Sequence, residues 1–82
     1  MGKITKVILF DVTALSTDTI KEFQTHLAMV TFLSDVRIDS QTHKISHIRA
    51  FFDQDINVEH FIKDFDGVKY EDITGYDLTK MF

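Results

Sequence analysis

The chain has 82 residues, a net charge of −4 and no cysteine. A chain this short buries about 60% of its unfolded surface and supports one core. We therefore expect a single domain over residues 1–82, with a core over about 4–73 and a C-terminal tail over 74–82. Hydrophobic residues make up 44% of the sequence, which is typical of a protein that folds by itself. The lack of cysteine excludes disulfides, thiolate metal sites and thiol nucleophiles.

The distribution of apolar and charged residues restricts location and partners. No apolar run approaches the roughly 18 residues of a membrane span, so we expect a cytoplasmic protein that binds no membrane. Residues 1–52 carry six Lys or Arg against five Asp or Glu, whereas residues 53–82 carry three against eight. This acidic C-terminal third argues against nucleic acid and favours a basic or cationic partner.

The first two predicted elements are a strand and a helix. A β-rich apolar run over residues 4–12 predicts a mostly buried strand. Ser16 or Thr17 can cap a helix, and Asp18 suits its first turn. Apolar residues then recur at spacings of three and four, which predicts a helix that ends near residues 29–31. Its buried stripe consists of Ile20, Phe23, Leu27 and Val30.

The second half of the sequence predicts two strands, a helix and a last strand. Val36 and Ile38 belong to one strand and residues 45–52 to the next, with a polar hairpin loop between them. A second helix ends at Gly67, and residues 68–73 form the last strand. The stripe of this helix consists of Val58, Phe61, Ile62 and Phe65. In the tail, we expect four apolar side chains to fold back on the core: Tyr76, Leu78, Met81 and Phe82.

This element order predicts an α+β fold of the ferredoxin-like β-α-β-β-α-β kind. Two right-handed β-α-β units around a hairpin give one four-stranded antiparallel sheet with both helices on one face. The other sheet face stays open. It is expected to be either solvated or a partner surface.

Apolar and aromatic residues keep a regular framework across about residues 4–73. The residues of this framework are Ile20, Phe23, Leu27, Val30, Leu33, Val36, Ile38, Phe61, Ile62, Phe65 and Tyr70. The framework resembles the heavy-metal-associated domains of copper chaperones and metal-pumping ATPases, in which the first strand leads into a Gly-Met-x-Cys-x-x-Cys loop. Here Ser16 and Thr19 stand at the two cysteine positions, and Thr13 and Ala14 replace the Gly and Met. Because Cu(I) selects thiolates and thioethers, the resemblance implies the scaffold without its metal chemistry.

The histidines are the first alternative metal ligands. His43 and His47 lie four residues apart, which on a strand separates them by about 13 Å, too far to share an ion. His26 and His60 belong to separate helices and are expected to be ordinary surface residues.

An alternating series of oxygen ligands imitates a calcium loop. It consists of Asp53, Asp55, Asn57, Glu59 and Asp64. The sixth loop position is Val58, where a calcium loop needs glycine, so these residues are better explained as helix-capping groups.

RNA binding and catalysis are further alternatives. RNA-recognition domains share the predicted topology but need exposed aromatics on the central strands, and here Phe51 is accompanied by His47 and Arg49. For catalysis, nothing arranges Ser16 with a base, and the adjacent Glu71 and Asp72 point to opposite sheet faces. We therefore expect no enzyme.

The sequence leads to one main hypothesis: a non-catalytic protein-binding or adaptor domain without a cofactor. Its partner is an unidentified protein, bound through the open sheet face and the acidic C-terminal third; a homodimer through a sheet edge or the open face is also open. The candidate contact residues are Thr13, Ser16, Asp18, Thr19, Asp64, Asp66 and Tyr70. The first alternative is a metal-binding or metal-carrier domain with ligands other than Cys, for which Asp11 and Asp18 lie near the loop. The second is nucleic-acid binding like that of RNA-recognition domains.

Overall fold

The computed structural model describes residues 4–31 and 33–75. Within them the strands are β1 (Lys6–Asp11), β2 (Leu33–Ile38), β3 (Ile45–Phe52) and β4 (Lys69–Asp72), and the helices are α1 (Thr17–Ala28) and α2 (Val58–Ile62). In this part of the chain, no helix is long and apolar enough to cross a membrane. The predicted folding back of Tyr76, Leu78, Met81 and Phe82 concerns residues outside those described.

The described strands form one sheet in the order β2-β3-β1-β4, and every neighbouring pair is antiparallel. Phe10 on β1 lies between Ile48 on β3 and Tyr70 on β4. The order and directions confirm the predicted α+β ferredoxin-like arrangement. Strands β1 and β3 are central, while β2 and β4 are the edges.

The core lies between the central strands and the helices. On β3, buried residues alternate with half-buried ones along the whole strand, and the buried set faces the helices. The ring of Phe23 on α1 packs edge to face against Phe10 at 5.1 Å and against Phe65 at 5.0 Å between centroids. Phe61 lies 5.7 Å from the same ring. This aromatic cluster fixes α1 over the central strands.

The second helix is shorter than the sequence predicts. It ends at Ile62, five residues before Gly67. The following turns are closed by hydrogen bonds from the Phe65 N–H to the Ile62 carbonyl, 2.9 Å, and from the Val68 N–H to the Phe65 carbonyl, 3.3 Å. Phe65 is nevertheless buried. These turns place Phe65 in the core, so its burial does not depend on a longer α2.

Candidate functional site

Three connections lie at one end of the sheet: residues 13–19, 39–44 and 63–68. The antiparallel register places the end of β1 beside the starts of β3 and β4, since Asp11 pairs with both His47 and Lys69. We call these three connections the loop surface. It contains all the predicted contact residues except Tyr70.

Two contacts join the connections of the loop surface. The Lys44 ammonium donates a hydrogen bond of 3.2 Å to the Leu15 carbonyl. Gly67 has a positive φ of 97°, and a Cβ there would lie 3.4 Å from the Cβ of Ala14. Glycine adopts this backbone conformation without steric cost. The turn before β4 therefore lies directly against the β1–α1 loop.

Ser16 and Thr19 act together as the cap of α1. The Ser16 hydroxyl accepts a hydrogen bond of 3.3 Å from the Thr19 N–H, and the two hydroxyl oxygens are 2.9 Å apart. The cap predicted at Ser16 is confirmed. In the position that the resemblance compares with a metal-binding cysteine pair, Ser16 thus satisfies one of the free N–H groups at the start of α1.

Thr13 holds Asp11 at the start of the loop. Oδ1 of Asp11 accepts hydrogen bonds from the Thr13 N–H at 3.0 Å and the Thr13 hydroxyl at 2.6 Å. The hydroxyl is the largest cause that lowers the pKa of Asp11 below its usual value. Oδ2 lies 3.9 Å from Nε2 of His47. The carboxylate is thus hydrogen-bonded within the β1–α1 loop.

The remaining predicted contact residues divide into two places. Asp18 lies in the first turn of α1, and Asp64 and Asp66 lie in the turn before β4; all three are exposed. Tyr70 lies elsewhere, on the helix-bearing face of β4, where its hydroxyl donates a 3.1 Å hydrogen bond to Oε1 of Glu59. Desolvation and this neighbouring carboxylate raise the pKa of Tyr70.

Among the alternative metal ligands, His26 and His60 share one crevice. His26 and His60 line one crevice between the helices, and the His26 ring packs 5.1 Å from the ring of Phe61. Across residues 4–31 and 33–75, no three His, Asp or Glu side chains form a group that could hold a metal ion. In the sequence that imitates a calcium loop, Asn57 caps α2 and Asp55 forms an ion pair of 2.8 Å with Lys6. Asn57 therefore has the helix-capping role that the sequence predicts for these residues.

The helix-free face of the sheet is partly closed. Val7 and Ile73 lie on this face beside each other and are buried, although they lie outside the main core cluster. Arg49 forms an ion pair with Asp35 and lies over the ring of Phe51 at 5.4 Å. The face is therefore a mixed layer of apolar side chains and ion pairs and is less open than the sequence predicts.

The exposed apolar side chains concentrate on edge strand β2. All of its residues are exposed, with exposed fractions of 45% for Leu33, 41% for Val36 and 58% for Ile38. By contrast, the opposite edge β4 has four residues, three of them charged. Sheet edges are usually protected by short length, charge, lysine or proline. Strand β4 is short and mostly charged, whereas β2 is longer and combines three exposed apolar side chains with Asp35 and Arg37.

The outward backbone groups of β2 belong to Ser34, Val36 and Ile38. The carbonyls of Ser46 and Phe52 accept hydrogen bonds from the β1 side of β3. Because successive strand residues direct their backbone groups to opposite sides, the β3 residues that alternate with these two direct theirs towards β2. Those residues are paired with Leu33, Asp35 and Arg37. The N–H and C=O groups of the three intervening β2 residues therefore point away from the sheet, where the described residues supply no further strand.

Leu33, Val36 and Ile38 are not among the contact residues that the sequence predicts. In the sequence, their apolar character indicates a strand and belongs to the framework. Placing β2 at an edge, as a ferredoxin-like sheet does, was the signal that could have identified them.

Comparisons with protein-family models, curated proteins and solved structures find no match to this chain.

Proposed function

We propose that this chain is a non-catalytic protein-binding domain whose main contact element is the edge strand β2. The observation that supports this proposal is the exposure of Leu33, Val36 and Ile38 on an edge with outward hydrogen-bonding groups. An added strand satisfies such backbone groups and buries the apolar side chains beside them. Binding by strand addition requires no cofactor.

The resemblance to heavy-metal-associated domains enters the proposal as a scaffold without thiolate metal binding. Ser16 and Thr19 supply neutral hydroxyls, and the Ser16 hydroxyl caps α1 by accepting from the Thr19 N–H. The loop surface is proposed as a second, polar part of the contact area, through the exposed carboxylates of Asp18, Asp64 and Asp66. A cytoplasmic location belongs to the same proposal, supported by a sequence without cysteine or a long apolar run.

The test compares two substitutions at one position in β2. Val36→Pro removes the outward N–H without removing a hydrogen bond to β3, and proline is tolerated at such edge positions. Val36→Thr keeps the N–H and the β-branched shape and is the matched control. Each protein is immobilised and used to capture proteins from a lysate, and circular dichroism checks that the variants are folded.

We expect proteins that are captured by the wild type and by Val36→Thr but lost with Val36→Pro. Identical capture by the three proteins would contradict binding of other proteins at the β2 edge.

A further inference from the structure

Two copies of this chain could pair through their β2 edges in only a few registers if the pair has two-fold symmetry. When an antiparallel pair has a two-fold axis perpendicular to the sheet, side chains on the same face lie opposite each other. One residue then lies opposite its own copy on the axis. In the middle of β2 the candidates for this position are Asp35, Val36 and Arg37.

Charge selects one of these registers. Centring the pair on Asp35 places two carboxylates opposite each other, and centring it on Arg37 places two guanidinium groups opposite each other. Like charges in directly opposite positions destabilise a strand pair. Centring on Val36 instead places Asp35 opposite Arg37 of the second copy, and this favourable pair occurs twice.

The backbone selects the same register. With Val36 on the axis, Ser34 lies opposite Ile38 of the second copy, so every outward N–H and C=O of β2 meets a partner. In the other two registers, either Ile38 or Ser34 lies opposite a residue beyond the end of β2. Hydrogen bonding and charge therefore agree on one alignment.

We propose that the β2 edge binds a second copy of this chain, antiparallel and centred on Val36, to form a continuous sheet across a symmetric dimer. This inference rests on the proposed protein-binding function and names its partner. The self-complementary order Asp35-Val36-Arg37 is the feature that favours a second copy over an unrelated strand.

The side chains on both faces of the sheet fit this pairing. On the helix-free face, Asp35 is 49% exposed and already contacts Arg49 at 2.7 Å. In the dimer it lies between Arg49 of its own chain and Arg37 of the second copy. On the helix-bearing face, the exposed Val36 packs against its own copy. Opposite charges and apolar pairs at directly opposite positions each stabilise a strand pair.

The expected dimer is concentration-dependent. One strand pair between short strands is small beside the roughly 1,200–2,000 Å² of a standard stable interface. We therefore expect monomer in dilute solution and dimer as the concentration rises towards the millimolar range. Sedimentation equilibrium of the untagged chain measures both species.

Complementary charge variants test the pairing. Asp35→Arg and Arg37→Asp each place like charges opposite each other, and each is expected to weaken self-association at least about tenfold. An equimolar mixture of the two variants restores opposite charges at both positions, and we expect it to associate as a mixed dimer. Circular dichroism of each variant confirms its fold. A mixture that stays monomeric would overturn the proposed alignment.

Single cysteines test the register directly, because the natural chain has none. Opposite residues on antiparallel strands have Cα atoms about 4.5–5.5 Å apart, within disulfide range. Under mild oxidation, Val36→Cys is expected to form a covalent dimer. Ser34→Cys is the control, since its thiol lies opposite position 38 and away from its own copy. Cross-linking of Ser34→Cys without Val36→Cys would overturn the register.

The outcomes also separate this inference from the proposed function. A wild-type chain that stays monomeric at millimolar concentration overturns the self-pairing. If Val36→Pro still loses captured proteins, the β2 edge binds another partner and the proposed function stands. If the chain is monomeric and Val36→Pro loses nothing, both proposals are wrong.

Discussion

Asp35 and Arg49 occupy directly opposite positions on β2 and β3 and form an ion pair of 2.7 Å between Oδ2 and Nη2. The arginine side chain is 12% exposed and the aspartate 49% exposed. The guanidinium group also lies over the ring of Phe51. The pair ties the edge strand to a central strand and leaves the Asp35 carboxylate half exposed at the sheet edge.

Asp35→Asn is expected to lower the free energy of unfolding only slightly, by about 1 kcal/mol at most, because the carboxylate is half exposed. Urea denaturation of dilute wild-type and variant protein measures the difference. Salt screens exposed charges, so the difference should shrink at high ionic strength. A large difference that does not depend on salt would show that the interaction is not the exposed ion pair described here.

Thr13→Val is expected to raise the pKa of Asp11 towards its ordinary value of 3.8, because the Thr13 hydroxyl is the largest cause that lowers it. The Thr13 N–H still donates to Oδ1, so the rise is partial. Thr13→Ser keeps a hydroxyl and serves as the control. NMR titration of the Asp11 carboxyl measures both variants. An unchanged pKa in Thr13→Val would contradict the assigned cause.

The same hydrogen bond gives a pH dependence of known sign. Because the pKa of Asp11 is lower in the folded chain than its ordinary 3.8, its stabilising contribution is present above that pH. It is lost as the pH falls through the lowered folded value. The stability difference between wild type and Thr13→Val should therefore be seen at neutral pH and disappear in acid. A difference that grows in acid would contradict this linkage.

Introducing two cysteines tests the resemblance to heavy-metal-associated domains. The Ser16 and Thr19 hydroxyls lie 2.9 Å apart, and thiolates are the ligands that Cu(I) selects. Native mass spectrometry is expected to show one Cu(I) bound to the double variant Ser16→Cys with Thr19→Cys. The single variant Ser16→Cys is the control, and the wild type is expected to bind neither Cu(I) nor Zn²⁺ in stoichiometric amount.

Two results would contradict the metal binding expected of the β1–α1 loop. A double variant that binds no copper would remove the support for the resemblance. A wild-type chain that retains a stoichiometric ion would support the alternative of a metal carrier with ligands other than cysteine.

The loop surface is tested through its exposed carboxylates. Changing Asp18, Asp64 and Asp66 to Asn is expected to weaken capture of the partner, most clearly at low salt, where exposed charges act over the longest distance. Asp53→Asn, a carboxylate outside the loop surface, is the control in the same capture experiment. Unchanged capture by the triple variant would remove the loop surface from the contact area and leave the β2 edge.

Topology and the first helix could be predicted from the sequence. Ser16 gave a cap, and the stripe of Ile20, Phe23 and Leu27 gave the buried face, which the structure confirms. These features depend on neighbours within a few residues. Local periodicity and capping chemistry therefore carry most of the information needed.

The length of α2 and the exposure of β2 depend on tertiary packing and were not predictable in the same way. Phe65 continues the helical spacing, yet it reaches the core through turns. Val36 and Ile38 have the apolar character of buried strand residues, but the helix-bearing face leaves them exposed at the edge. Apolar spacing indicates a strand face without showing how far the helix layer extends over it.

Amide hydrogen exchange along β2, measured by NMR on the wild-type chain at low and high concentration, shows whether the β2 edge pairs with a second copy. In dilute protein, the outward N–H groups of Ser34, Val36 and Ile38 should exchange rapidly, whereas that of Asp35 is protected by β3. At high concentration we expect the three outward amides to become protected. Rapid exchange of the Val36 amide at both concentrations would contradict pairing of the β2 edge with a second copy.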